Sequence, residues 1–345
     1  MIKFKFFFIL ILIFFSSTKV ACYNDQNYSL VFVYLGDKLP NYLAHSIGQA
    51  RLFNNNCAIY FIANESAIEN HVSLINKLQD HKVIIVTSES LPKSNAHEIF
   101  DAAFLQRPED FGLHGFLYWK FTTERFFYIH ELMQKNDLKD VFQVECDVML
   151  YVNIENYLTT LHTYYHGIAC PFQNDNVASV SFTYFSNTDA IKKFTEFISY
   201  QLRGQHIDSD MHLLAAYKNC APDEVNQLPT VTKEVVLYEP LKSLRGDIPS
   251  QSWKYWNHIE DWNSIFDNDN IGTFLEVKHW GAPRIIFNHD AYNFTWEKDS
   301  EQRWIPYICE KETHRKNKYR INTLHVAHKG TIAKYLSVGP MPLSI

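Results

Sequence analysis

Four short runs in the first half of the chain are apolar at nearly every position: 30–35 (LVFVYL), 58–63 (AIYFIA), 82–87 (KVIIVT) and 141–144 (VFQV). Alternating polarity would mark strands with one wet face. Continuous β-branched and aromatic runs instead mark strands buried on both faces, as in a parallel sheet covered by helices. The segments between them carry helical spacing. Residues 42–52 place Leu43, Ile47, Ala50 and Leu52 on one side, 67–78 has a similar pattern, and 122–133 repeats Phe126, Phe127, Ile129 and Leu132. Strands alternating with helices predict a doubly wound α/β sheet.

Further short runs follow at 167–171 and 179–185, then helices at about 190–202 and 211–217. From about residue 222 the chain reads as loop-rich, heavy in Trp, Asn, Asp and His. There is no internal repeat, linker or low-complexity tract. At roughly 150 residues per domain, 345 residues allow one large or two small domains. One elaborated domain over 23–345 is the simplest expectation.

The first 22 residues read differently. Lys3 and Lys5 precede an apolar run from Phe6 to Phe15, followed by small residues and Cys22. This is the order of a secretory signal. Ten residues cover about 15 Å of helix, half of a hydrocarbon core of roughly 30 Å, so a cleaved signal peptide is expected ahead of a short signal anchor. The expected location is therefore exported, secretory or membrane-associated, and the Golgi lumen in a eukaryote. Removing Lys3, Lys5 and Lys19 leaves 29 basic against 38 acidic residues, a net charge of −9 instead of −6. An acidic chain without a basic stripe excludes duplex binding, which needs clustered Lys and Arg. Cysteines at 22, 57, 146, 170, 220 and 309 show no CxxC spacing, which excludes a structural zinc finger. After processing, five of them permit at most two disulfides. Glycosylation sequons stand at Asn27, Asn64 and Asn293.

The fourth apolar run ends in Glu145-Cys146-Asp147. Ligands of open α/β sheets bind outside the carboxyl ends of strands, and packing explains acids there poorly. In an extended segment the two carboxylates lie two residues apart and project to one side. Two hard oxygen ligands on one edge suit Mg²⁺ or Mn²⁺ and leave positions free for a diphosphate. The flanking carboxylates raise the Cys146 thiol, which disfavours a nucleophilic role.

Residues 141–153 (VFQVECDVMLYVN) resemble the Asp-X-Asp region of GT-A type nucleotide-sugar glycosyltransferases, in a bacterial-style variant whose first acid is Glu. Residues 118–127 (YWKFTTERFF) are similar to the aromatic, Arg-bearing helix that precedes this motif in that family. Residues 208–214 (DSDMHLL), 266–275 (FDNDNIGTFL) and 321–329 (INTLHVAHK) resemble its later elements in the same order. The likeness spans most of residues 29–329. It departs at Thr273-Phe274, at Glu276-Val277 and at Ala327, which puts the acceptor side in doubt.

The resemblance implies a GT-A type, Rossmann-like doubly wound mixed sheet with an irregular C-terminal acceptor-side extension. It implies a metal-dependent transfer of sugar from a nucleotide-sugar donor, expected to be UDP-linked, to a hydroxyl of a glycan or other acceptor. Glu145, Asp147 and His325 are then expected to hold Mn²⁺ or Mg²⁺, Lys329 to meet the diphosphate and Arg125 the donor. Asp210 and Asp267 are the candidate general bases, each equally readable as an acceptor hydrogen-bonding or helix-capping residue. Trp253, Trp256, Trp262 and Trp280 are candidate sugar-stacking rings, with irregular packing as the alternative. Two other readings stay open. One is a non-catalytic carbohydrate- or nucleotide-binding protein on this fold, and the other is an exported metal-dependent hydrolase.

Overall fold

The computed structural model describes residues 27–105, 116–202, 209–232, 252–276, 292–311 and 317–342. The signal-like segment 1–22, Asp208, Val277 and Trp280 lie outside them. Along the chain, β1 (Ser29–Tyr34), α1 (Leu43–Phe53), β2 (Ala58–Ala63), α2 (Glu65–Asn70), α3 (Val72–Asp80) and β3 (Val83–Thr87) form two β-α-β units. Helices α4 (Asn95–Leu105) and α5 (Phe116–Asn136) lead to β4 (Val141–Val144) and β5 (Val148–Leu150). Next come α6 (Leu158–Tyr164), β6 (Ile168–Cys170), the hairpin β7 (Phe172–Asn174) and β8 (Val177–Ala178), and β9 (Phe182–Phe185). Helices α7 (Thr188–Leu202) and α8 (Asp210–Cys220) precede β10 (Val225–Gln227).

The main sheet has the order β10-β6-β9-β4-β1-β2-β3. β3, β2, β1 and β4 are mutually parallel, while β9 runs antiparallel to both β4 and β6. The sheet is thus mixed and rich in parallel pairs. Burial explains the composition of β1. Val31 and Val33 join the core beneath α4, α5 and α7, whereas Leu30 and Phe32 join a second core with α1 and α3. From Leu30 to Val33 every side chain faces one core or the other, which is why that stretch is wholly apolar.

The C-terminal part is more ordered than its composition suggests. It holds α9 (Ile259–Trp262), β11 (Ser264–Ile265), α10 (Asn270–Glu276), β12 (Tyr292–Lys298), β13 (Trp304–Glu310), β14 (Lys318–Ile321) and β15 (Thr323–His325). A second sheet runs β11-β14-β13-β12, with a seven-residue antiparallel pairing of β12 and β13. β15 leaves that sheet and pairs with β5, setting His325 opposite Val148. Among the described residues no helix is long and apolar enough to cross a membrane. Cys57, Cys146, Cys170, Cys220 and Cys309 are all free thiols, so neither of the two disulfides that five cysteines permit forms among them.

Candidate donor and metal site

β1 continues through α1 to β2 on one side, while β4 lies on its other side. The crevice between the carboxyl ends of β1 and β4 is therefore the topological switch point, where open α/β sheets take ligands. A cavity of about 510 Å³ opens there, walled by the end of β1, the start of α5, residues 145–147, Asp210, Asp269, His325 and Lys329.

The acidic pair is arranged by a turn rather than by an extended strand. β4 ends at Val144, and the Val148 N–H donates to the Glu145 carbonyl at 3.0 Å, closing a turn over Glu145-Cys146-Asp147. The Val326 N–H donates to the Asp147 carbonyl at 3.0 Å, which draws the C-terminal strand alongside. Ligand atoms of Glu145, Asp147 and His325 then lie within 4.8 Å of one another. His325 Nε2 is 3.5 Å from Asp147 Oδ2 and 4.0 Å from Glu145 Oε2. The Lys329 ammonium pairs with Asp147 Oδ2. Two carboxylates and an imidazole fit a divalent cation of the Mn²⁺ or Mg²⁺ type, and the lysine on Asp147 marks that oxygen as a place for positive charge.

Arg125 lines the same cavity. Its guanidinium is buried and bridges Glu145 Oε1 and Asp210 Oδ2, each at 2.5 Å. One oxygen of Glu145 is thereby committed to Arg125 and the other is turned toward His325. Burial pushes Glu145 up, but Arg125 and His325 more than offset it and hold the carboxyl below the usual range. Asp210 goes the other way: burial, with Glu145 adding to it against Arg125, pushes it up to about 6. Asp210 is not the cap of α8. Ser209 is, its hydroxyl accepting from the His212 N–H at 3.4 Å, and Asp210 is the first helical residue.

Asp267 is fully buried and does not line the cavity. Its Oδ1 accepts from the N–H groups of Asn270 and Ile271, each at 2.9 Å, and its Oδ2 accepts from those of Gly272 and His325, each at 3.0 Å. It caps the first turn of α10, as the capping alternative expected, and it also fastens the His325 backbone. Burial and the neighbouring Asp269 push its carboxyl up to about 6. Asp269, overlooked in the sequence, does reach the cavity. Its Oδ1 lies 3.5 Å from His325 Nδ1 and accepts from Ser179 at 2.9 Å, while Oδ2 accepts from Gln173 at 2.8 Å. Its backbone has φ of +73°, rare for a residue with a side chain. The acid-rich run Asp267-Asn268-Asp269 was the available signal, but only that turn shows which acid points outward.

Cys146 is buried, donates weakly to the Val33 carbonyl at 3.5 Å, and is pushed up to about 12 by burial and Glu145. Trp262 is also buried, stacked on Tyr157 and donating to the Tyr165 hydroxyl at 3.0 Å, so it packs the core and does not offer a sugar platform. Trp253 is half exposed, and Trp256 is partly buried against the core.

Known folds come near this one at low identity. Mouse xyloside xylosyltransferase 1 in its apo form is similar over 62% of this chain and 91% of its own, with a TM-score of 0.37 and 11% identity. Galactosyltransferase LgtC in complex with donor and acceptor sugar analogues is similar over 66% and 83%, with a TM-score of 0.41 and 11% identity. The apo glycosyltransferase GlyE of Streptococcus pneumoniae is similar over 69% and 53%, with a TM-score of 0.39 and 8% identity. At these values none of them says what this chain does. No family model matches the chain, and no curated protein matches it.

Proposed function

We propose that this chain is a metal-dependent glycosyltransferase that moves a sugar from a UDP-linked donor to a hydroxyl of a glycan or other acceptor. The observation that carries the reading is the convergence of Glu145, Asp147 and His325 from segments 180 residues apart, at the sheet's switch point. A solvated pair of strand-end acids would not require a C-terminal strand folded back to deliver an imidazole. Asp147 and His325 would hold the cation, with the free oxygen of Glu145 as the third ligand. When bound, Mn²⁺ or Mg²⁺ supplies Lewis-acid neutralisation of the charge that develops on the departing nucleoside diphosphate.

The chain's own groups do the rest. Lys329, close enough to pair with Asp147, is a second positive charge for the diphosphate. Arg125 fixes Glu145 and Asp210 relative to one another, which makes it a positioning residue. Asp210 lines the cavity, and a carboxyl near pH 6 is ionised at neutrality yet basic enough to receive an acceptor proton. Asp267, walled in by four N–H groups, holds the His325 strand and is not the base. We place the enzyme in the secretory pathway or at a membrane on the strength of residues 1–22.

Calorimetric titration of the full chain with UDP, GDP and CDP, each with and without Mn²⁺, tests the reading. Metal-dependent binding of UDP is expected, followed by turnover of a UDP-sugar. Binding of none of the three by folded protein would overturn it in favour of a non-catalytic carbohydrate-binding role or a hydrolase.

A further inference from the structure

Helix α5 has two working faces. Tyr118, Phe121, Thr122 and Arg125 face the donor cavity. Lys120, Glu124, Tyr128 and Glu131, at spacings of four, four and three, form the other stripe. That stripe meets His97 of α4, which is completely buried. His97 Nδ1 lies 2.9 Å from Glu131 Oε1, and Nε2 lies 3.2 Å from Glu124 Oε1. An imidazole that donates to two carboxylates must carry both protons and is positive. Glu131 Oε1 also accepts the Ser94 N–H at 2.8 Å, so the start of α4 is bound to the same carboxylate.

The remaining charges around His97 come from both helices and the turn before α4. Asp101 Oδ2 is 3.9 Å from Nε2, Lys120 binds both Asp101 and Glu124, and Lys93 pairs with Asp101. The Tyr128 hydroxyl donates to Glu124 at 3.4 Å. His97, Asp101 and Glu124 are close enough to hold a cation, but the ammonium groups of Lys93 and Lys120 already serve those carboxylates. The cluster reads better as a clasp than as a metal site.

We infer that His97 is a positioning residue for the donor site: its doubly bound imidazolium fixes the rotation and axial position of α5, and so aims Arg125 at Glu145 and Asp210. Glu124 and Arg125 are consecutive, so one ends in the clasp and the other in the cavity. A change in the first moves the second through a rigid helical turn. The inference rests on the proposed donor site for its consequence in binding, though the clasp itself does not depend on it. Burial disfavours the His97 charge, but Glu124 and Glu131 more than offset it and raise the group above its ordinary value. The clasp is therefore complete below the unfolded histidine value, and it is lost as pH rises through the elevated folded value.

The test follows the Arg125 guanidinium by NMR in full-length protein labelled at arginine, assigned with Arg125→Lys, across pH 5.5 to 9. The Arg125 signal is expected to titrate with the same midpoint as the His97 ring, and to stop titrating in His97→Gln. Glu131→Gln, which removes one carboxylate from the clasp, is expected to lower the midpoint. With Mn²⁺ present, UDP binding by His97→Gln is expected to be roughly fivefold weaker at pH 6.5, and native affinity is expected to fall to the variant's at high pH. An Arg125 signal indifferent to the His97 titration would overturn the inference, as would unchanged titration in His97→Gln. If the native protein bound no nucleotide, the donor-site reading would fall while the Arg125 titration still decided the clasp.

Discussion

Single carboxylates carry the sharpest consequences, because each is surrounded differently. Asp267 accepts four backbone N–H groups through both oxygens. Asp267→Asn keeps one acceptor and turns an amide N–H₂ toward donors, leaving two buried N–H groups unpaired. We expect it to cost about 2–4 kcal/mol in urea denaturation, and to weaken Mn²⁺-dependent UDP binding through the released His325 strand. Asp210 gives a pH signature. Its ordinary value is 3.8 and its folded value about 6, so between these the folded state binds the extra proton and stability falls as pH rises. Removing it in Asp210→Asn should flatten this fall in stability between pH 4 and 6, read from urea denaturation at several pH values. The pair Glu145 and Asp147 was legible because two acids interrupt an apolar run. The Arg125–Asp210 bridge was not, since its partners are 85 residues apart and nothing in the sequence pairs them. Asp269 escaped for a similar reason: Ser179 and Gln173, which orient it, come from another hairpin.

At the scale of elements, legibility tracked burial. β1, β2 and β4 announced themselves because nearly every position is buried, whereas β3, the half-buried edge strand, was legible from its β-branched run VIIVT alone. β12 (YNFTWEK) and β13 (WIPYICE) did not, since each mixes aromatic, polar and charged positions and β13 contains Pro306. Proline cannot donate to a ladder, so its presence argues against a strand when read alone. Tertiary pairing overrides that signal here. α10 lies close against β15 beside the site. A Cβ on Gly272 would stand 1.6 Å from the His325 carbonyl oxygen, a collision with backbone that no rotamer relieves. Gly272→Ala should therefore destabilise the fold by about 3 kcal/mol. It should also shift the His325 ring resonances in NMR, whereas Gly330→Ala, with nothing nearer than 3.8 Å, should leave both unchanged.

Across the whole molecule, the main sheet is complete by residue 227, and the site is finished only when the C-terminal segment returns to it. That return is anchored by residues outside the cavity lining. Gln49 of α1 donates to the Ser337 hydroxyl at 2.6 Å and accepts its N–H at 3.1 Å, and the Tyr151 hydroxyl donates to the Tyr335 carbonyl at 2.7 Å. Gln49→Ala leaves the buried Ser337 N–H without its acceptor, at a cost of about 1–3 kcal/mol. Limited proteolysis should then cut near residues 330–340 before the sheet is attacked, and uniform cleavage rates would show that the strap is not a separate unit. On the function proposed above, this closure assembles a metal site for a nucleoside diphosphate. The most direct measurement is electron paramagnetic resonance of Mn²⁺ titrated into the protein with UDP, for the native chain and for Asp147→Asn. Loss of the free-ion signal is expected with one Mn²⁺ per native chain, and no such loss in the variant. Equal retention of the free signal by both proteins would contradict it.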